Sequence, residues 1–169
     1  MKTDLRLEPR EIPLLTDLYE LTMAASYFDL GFNDAACFSM SSRRLPPGRG
    51  FLVAAGLERL LEVIEDFHFE QSILDYLDSL KLFSADFLAF LATLRFTGEI
   101  FALAEGTIFF QQEPIIEVRA PLIEAQLLDG ILGSPLSALP LGSINIIPCV
   151  SLSACSAAAA QRFASTSLR

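Results

Sequence analysis

The sequence predicts an α+β domain. Apolar residues recur at helical spacing through the first half of the chain, then switch to alternation near residue 97. The resulting order is helix, strand, helices, sheet, helix, rather than a repeating strand–helix wind. The 169 residues are enough for one ordinary domain with a real core.

Leu14, Leu18, Leu21, Ala25 and Phe28 make one apolar face and predict a first helix over residues 16–30. Thr16 suits its N-cap, and Asp17 and Glu20 suit the positive end of its dipole. Gly31, Asn33 and Asp34 end it. Residues 35–41 are short and apolar, as in a strand. The stretch 43–50 holds two prolines and two glycines, which cannot continue a regular element. Val53, Leu57, Leu60, Ile64 and Phe67 predict a second helix over 52–66. Ile73, Leu74 and Leu77 face inward in a third, over 70–80. Ser84 caps a fourth, carrying Phe87, Leu88 and Leu91.

Residues 97–103, 107–110 and 115–119 are strand-like, with turn signals at Glu105–Gly106 and over 111–114. Ile116 and Val118 alternate with Glu117 and Arg119, which predicts a strand with one wet face. Pro121 opens a helix reaching about Leu128. From Gly130 the character changes: residues 130–169 carry two charges, Arg162 and Arg169, and residues 136–147 show no clean period. Propensity alone suggests a short helix over 154–163. The chain therefore divides into a domain over 1–128 and a low-charge tail over 129–169, to which no independent fold is assigned.

Composition narrows the function. The net charge of −9 argues against nucleic acid and anionic membranes, because both want a basic field. A hydrophobic fraction of 52% and a mean hydropathy of +0.45 are high for a soluble domain, and point to apolar area meant for a partner or a further domain. The charged start predicts no signal peptide, and Pro135, Pro140 and Pro148 break the apolar tail before it could span a bilayer. The three cysteines, Cys37, Cys149 and Cys155, form no metal-ligand spacing and read as free thiols of a reducing cytoplasm.

Asp17 and Tyr19 are the first candidates for chemistry. A Tyr ring can stack on a flat aromatic substrate while a nearby carboxylate orients a polar group. The same pair also fits a plain helix start beside a partly buried Tyr, and residues alone leave both readings open. Arg43, Arg44 and Arg49 make one basic loop in an acidic chain, either a phosphate contact through guanidinium forks or a solvated loop. Neither GxxxxGK[ST] nor GxGxxG is present there. His68 is the one histidine and has no partner motif for a triad or a metal site. The hairpin-rich segment 105–119 is similar to half of a biotinyl or lipoyl carrier, but no Lys follows Lys81, so carrier chemistry fails.

The segments Leu14 to Met23, Arg43 to Gly56, Leu94 to Gly98 with RFTG, Ala104 to Thr107 with EGT, Glu113 to Ile116, and Ala120 to Gln126 with APLIEAQ agree in order and spacing. Together they resemble the amino-terminal part of nicotinate phosphoribosyltransferase, over about residues 12–128. The resemblance implies the amino-terminal α+β domain of a type II phosphoribosyltransferase: helices plus a small, mostly antiparallel sheet, here with the family's α/β barrel missing. It implies a cytoplasmic enzyme of NAD biosynthesis that joins nicotinate to phosphoribosyl pyrophosphate, giving nicotinate mononucleotide. ATP and magnesium serve the parent family.

Family members pair as homodimers, one chain's amino-terminal part completing its neighbour's site. On that pattern Tyr19 stacks on the nicotinate ring and Asp17 lies near the reacting sugar, both as substrate-binding residues. The family's phosphorylated histidine and phosphate loops belong to the barrel, and His68 matches none of them. The resemblance therefore implies a chain inactive alone, its tail an unrelated sequence appended by truncation or a reading-frame change. The second reading is a non-catalytic interaction module that pairs with a full-length homologue.

Overall fold

The computed structural model describes residues 13–14, 16–42, 44–45, 47–133 and, as backbone, 144–149. The elements are α1 (Leu18–Asp29), β1 (Ala35–Ser42), β2 (Leu52–Val53), α2 (Leu57–Glu65), α3 (Gln71–Ser79), α4 (Ala85–Thr93), β3 (Glu99–Ala102), β4 (Ile108–Phe109), β5 (Pro114–Pro121), α5 (Leu122–Gly133) and β6 (Ile144–Cys149). A four-stranded antiparallel sheet runs β3-β5-β1-β6, and β2 pairs with β4 separately. This is the α+β arrangement the sequence predicts.

The centre of the fold is β1 against β5, in register from Ala35 opposite Pro121 to Met40 opposite Ile116, with a bulge after Met40. α5 packs on both strands, and α1 packs on α5. Phe38, Met40, Ile116, Val118, Ile123 and Leu127 are buried together between them. A second apolar layer comes from the short helices. Phe28 contacts Phe87 and Phe90 at centroid distances of 5.6 and 5.1 Å, joining α1 to α4.

The sequence signals that mark element ends hold the elements together. Gly31, at φ +68°, ends α1 in a Schellman arrangement: its N–H donates to the Phe28 carbonyl and that of Phe32 to Tyr27. The Asn33 side chain accepts from the Ile123 N–H at 3.1 Å and so caps α5. Thr97 of RFTG donates from its N–H and its hydroxyl to Glu124 of APLIEAQ, at 2.7 and 3.0 Å. Gly98 lies so close to β5 that a Cβ there would run into the Arg119 carbonyl oxygen and come within 2.5 Å of the Ala120 Cβ. Glu105 of EGT accepts from the first N–H of α2 at 2.6 Å, placing a carboxylate at that helix's positive end. Most of these motif residues are therefore braces.

Several expectations change. The first helix is N-capped by Asp17, not Thr16, because Asp17 stands three residues before Glu20 and closes a capping box with it; the Thr16 hydroxyl donates to the Leu127 carbonyl at 3.2 Å. The second helix starts at Leu57, since Leu52 and Val53 pair with β4 and Gly56, at φ +91°, breaks the run. β5 has no wet face. As an inner strand it is covered on both sides, and Glu117 is buried with its charge met by Arg119 at 2.6 Å. The last helix continues past Leu128 to Gly133, and residues 144–149 of the tail add an edge strand to β1.

Cys37 is buried and disulfide-bonded, which corrects the free-thiol expectation for that residue. The β1–β6 register sets Cys149 opposite Cys37, a proximity their wide sequence separation could not reveal. The predicted helix over 154–163 lies outside the described residues.

Candidate functional site

The amino end of α1 gathers the candidate residues. Asp17 stands exposed at the N-cap with extended backbone, and Tyr19 follows in the first turn, 57% exposed. Between them and the body of the domain lies Glu20, only 2% exposed. One oxygen of its carboxyl accepts from the Asp17 N–H at 3.1 Å, the reach-back half of a capping box. The other accepts from the Tyr19 hydroxyl at 3.2 Å. Sequence reasoning gave Glu20 only a dipole role; the motif spacing Asp17–Glu20 was the signal that could have found this one.

α5 supplies the other side. A Cβ on Gly130 would collide with the Glu20 Oε2 and stand 2.9 Å from the Thr16 Cα, so the absence of a side chain there lets the two helices close on each other. Asp129 lies beside this contact. Burial, then the Asp129 charge, pushes the Glu20 carboxyl up to about 7. Burial pushes Asp129 up to about 6. The Tyr19 phenol is pushed up to about 12, first by partial removal of its hydroxyl from water and then by Glu20. The cluster is acidic throughout, and its buried member, Glu20, is the carboxyl raised furthest.

On one flank of α1, Leu14, Asp17, Leu18, Leu21, Tyr76 and Leu82 line part of an open hollow of about 470 Å³. Asp17 reaches this hollow, whereas Tyr19 is not among its lining residues. The basic loop stands apart: Arg44 and Arg49 are exposed, and Arg43 lies outside the described residues. His68 sits between α2 and α3 with Nδ1 2.6 Å from the Asp66 carbonyl and Nε2 4.0 Å from Glu70, an ordinary loop arrangement. Among the described residues, no three His, Cys, Asp or Glu side chains are placed together to hold a metal ion. None of the described helices is long and apolar enough to cross a membrane.

The family model for the nicotinate phosphoribosyltransferase (NAPRTase) N-terminal domain matches residues 14–132. The chain belongs to the nicotinate phosphoribosyltransferase family. It is 47% identical over 116 residues to nicotinate phosphoribosyltransferase pncB2 of Mycobacterium tuberculosis, covering 69% of this chain and 25% of that protein. It is 38% identical over 119 residues to the Bacillus subtilis nicotinate phosphoribosyltransferase, covering 70% and 24%. The crystal structure of human nicotinic acid phosphoribosyltransferase superposes with a TM-score of 0.64 at 34% identity, over 69% of this chain and 24% of that one. The nicotinate-nucleotide pyrophosphorylase of Pyrococcus furiosus, at 17% identity and a TM-score of 0.51, shares the fold. The chain thus spans about a quarter of the length of the curated nicotinate phosphoribosyltransferases it matches. The matched region ends at residue 132, and so includes the Asp129–Gly130 contact with α1.

Proposed function

We propose that this chain supplies the amino-terminal wall of a nicotinate phosphoribosyltransferase site. The parent reaction joins nicotinate to phosphoribosyl pyrophosphate in NAD biosynthesis, and the parent family uses ATP and magnesium. The observation that carries this reading is the family match across 14–132 combined with the start of α1, where Asp17 and Tyr19 are both exposed. On that pattern Tyr19 offers its ring face to nicotinate. Asp17 stabilises the positive charge that develops on the sugar as pyrophosphate leaves, and holding both groups in place lowers the barrier by orientation and electrostatics.

Both residues act on the pocket of a second subunit in the cytoplasmic homodimer, so the chain alone makes no nicotinate mononucleotide. Incubating the purified chain with nicotinate, phosphoribosyl pyrophosphate, ATP and magnesium tests this: no product is expected, and turnover without an added subunit refutes it.

A second reading, a non-catalytic module that pairs with a full-length homologue, has its own observation. Phe51, Val53, Ile108 and Phe110 leave the outer face of the β2–β4 ribbon apolar and exposed. Gel filtration with and without a full-length relative separates the readings: co-elution supports the module, and separate peaks remove it.

A further inference from the structure

We propose that Glu20 is a positioning residue for this wall: seated against Gly130 of α5, its carboxyl ties the Asp17 backbone and the Tyr19 hydroxyl into one fixed arrangement. This rests on the reading of Asp17 and Tyr19 as substrate-facing.

The placement of Glu20 is costly unless it does something. A glutamate in the first turn of a helix normally reaches solvent, where it favours the helix dipole. This one is buried while its neighbours Leu18 and Tyr19 are half exposed. A buried carboxyl needs hydrogen bonds or an opposite charge. The titratable groups facing it are Asp17 and Tyr19 on α1 and Asp129 on α5, and none of these is a cation. What it gains is two donors, and they belong to the two residues assigned to substrate: the Asp17 N–H at 3.1 Å and the Tyr19 O–H at 3.2 Å.

Each contact removes a specific freedom. The bond to the Asp17 N–H fixes the backbone from which the Asp17 carboxylate projects. The bond to the Tyr19 hydroxyl fixes the far end of a ring that otherwise turns about two soft torsions, with one side open to solvent. A ring held in place before a ligand arrives loses less entropy on stacking.

The tether is itself anchored. Gly130 leaves no room for the carboxyl to retreat toward α5, and the Thr16 hydroxyl on the Leu127 carbonyl locks the chain just before the N-cap. The geometry of the wall is thus set by the contact between two helices far apart in sequence.

The test is nuclear magnetic resonance of the whole chain labelled at tyrosine Cζ. Tyr19→Phe assigns one of three tyrosines. Spectra follow pH from about 5 to 9, and nicotinate is titrated to tens of millimolar with an unlabelled full-length relative present to supply the partner pocket. In the unsubstituted chain the Tyr19 signal should move with a midpoint near 7. In Glu20→Gln, which keeps an acceptor, the step near 7 should vanish, leaving at most a smaller one near 6 from Asp129, and nicotinate affinity should hold within about threefold. In Glu20→Ala it should move to the position of an unconstrained tyrosine, with nicotinate affinity down about three- to tenfold, the range of a lost hydrogen bond.

A Tyr19 signal that ignores Glu20→Ala refutes the tether. Equal losses in the Gln and Ala variants refute it too, since they would follow the charge and not the hydrogen bonds. A Tyr19 that obeys Glu20 but ignores nicotinate refutes the substrate-wall reading, and the positioning role with it. A nicotinate response identical in all three proteins refutes the positioning role alone. If the Ala variant does not fold, the pH course decides: a Tyr19 signal that titrates equally in the unsubstituted chain and in Glu20→Gln refutes the tether.

Discussion

Replacing Gly130 by alanine should destabilise the domain, against the helix propensity of the two residues. Inside a helix such as α5, alanine is favoured over glycine by up to about 1 kcal/mol. Here the new Cβ would overlap the Glu20 Oε2 and stand 2.9 Å from the Thr16 Cα. The carboxyl must then leave its seat, and overpacking of this kind costs about 1–3 kcal/mol. Losing its hydrogen bonds to Asp17 and Tyr19 adds about 1 kcal/mol or more. The expected net effect is a loss of about 1–3 kcal/mol, read as a lower urea midpoint at unchanged slope. The decisive arm is the double-mutant cycle with Glu20→Ala. With the carboxyl gone, the penalty of Gly130→Ala should shrink by about 1 kcal/mol or more, a coupling well above the error for independent sites. A stabilising Gly130→Ala, or an equal penalty with and without Glu20, would refute the close approach of the two helices at this point.

Two other outcomes follow from buried charge. Arg119→Ala leaves Glu117 buried without its partner and removes the guanidinium lying 4.6 Å over the Phe101 ring, so a loss of about 2–4 kcal/mol is expected, with chemical denaturation as the measurement. Glu20 and Asp129 both have folded-state values raised, to about 7 and about 6, so the folded state holds protons the unfolded chain releases; their contribution is full below the ordinary carboxylate range and is lost as pH rises through 6 and 7. Stability should therefore rise by about 2–3 kcal/mol from pH 8 to pH 5, less than the bare shifts suggest because Asp129 is partly exposed. Glu20→Gln should flatten most of that slope, and a protein that loses stability over this range would contradict the assignment.

Much of the fold was legible because its signals are local. Ser84 predicted the start of α4, and its hydroxyl accepts from the Phe87 N–H. Gly31 predicted the end of α1, and the period change near residue 97 predicted the sheet. The failures were of another kind. Glu117 alternates with apolar neighbours as a surface residue would, and only its place between β3 and β1, with Arg119 beside it, explains its burial. Thr16 is a good N-cap by type, but Asp17 forms the capping box with Glu20, and the Thr16 hydroxyl donates to the Leu127 carbonyl on α5. The Cys37 disulfide and the β1–β6 register that sets Cys149 opposite it are both long-range, with no local signal. At the site, Asp17 and Tyr19 were visible as residue types, while Glu20 was hidden because its burial depends on a glycine on a different helix.

That dependence bears on where the functional unit ends. The change of composition after Leu128 invites a boundary there, yet the seat of Glu20 is built from Leu127, Asp129 and Gly130, on both sides of it. Ile131 and Leu132, fully buried, continue the same helix, and the match to the family domain runs to residue 132. A chain cut at 128 would keep Asp17 and Tyr19 but lose the wall of α5 that confines the carboxyl between them. Glu20 would then be solvated, free to adopt the conformations of any surface glutamate, and the Tyr19 ring would be released with it. Cut at 133, the same two residues would keep their arrangement. The turn of α5 around Gly130, where Asp129 is the one titratable side chain over residues 127–132, is therefore as much a part of the candidate site as the two residues exposed at the start of α1.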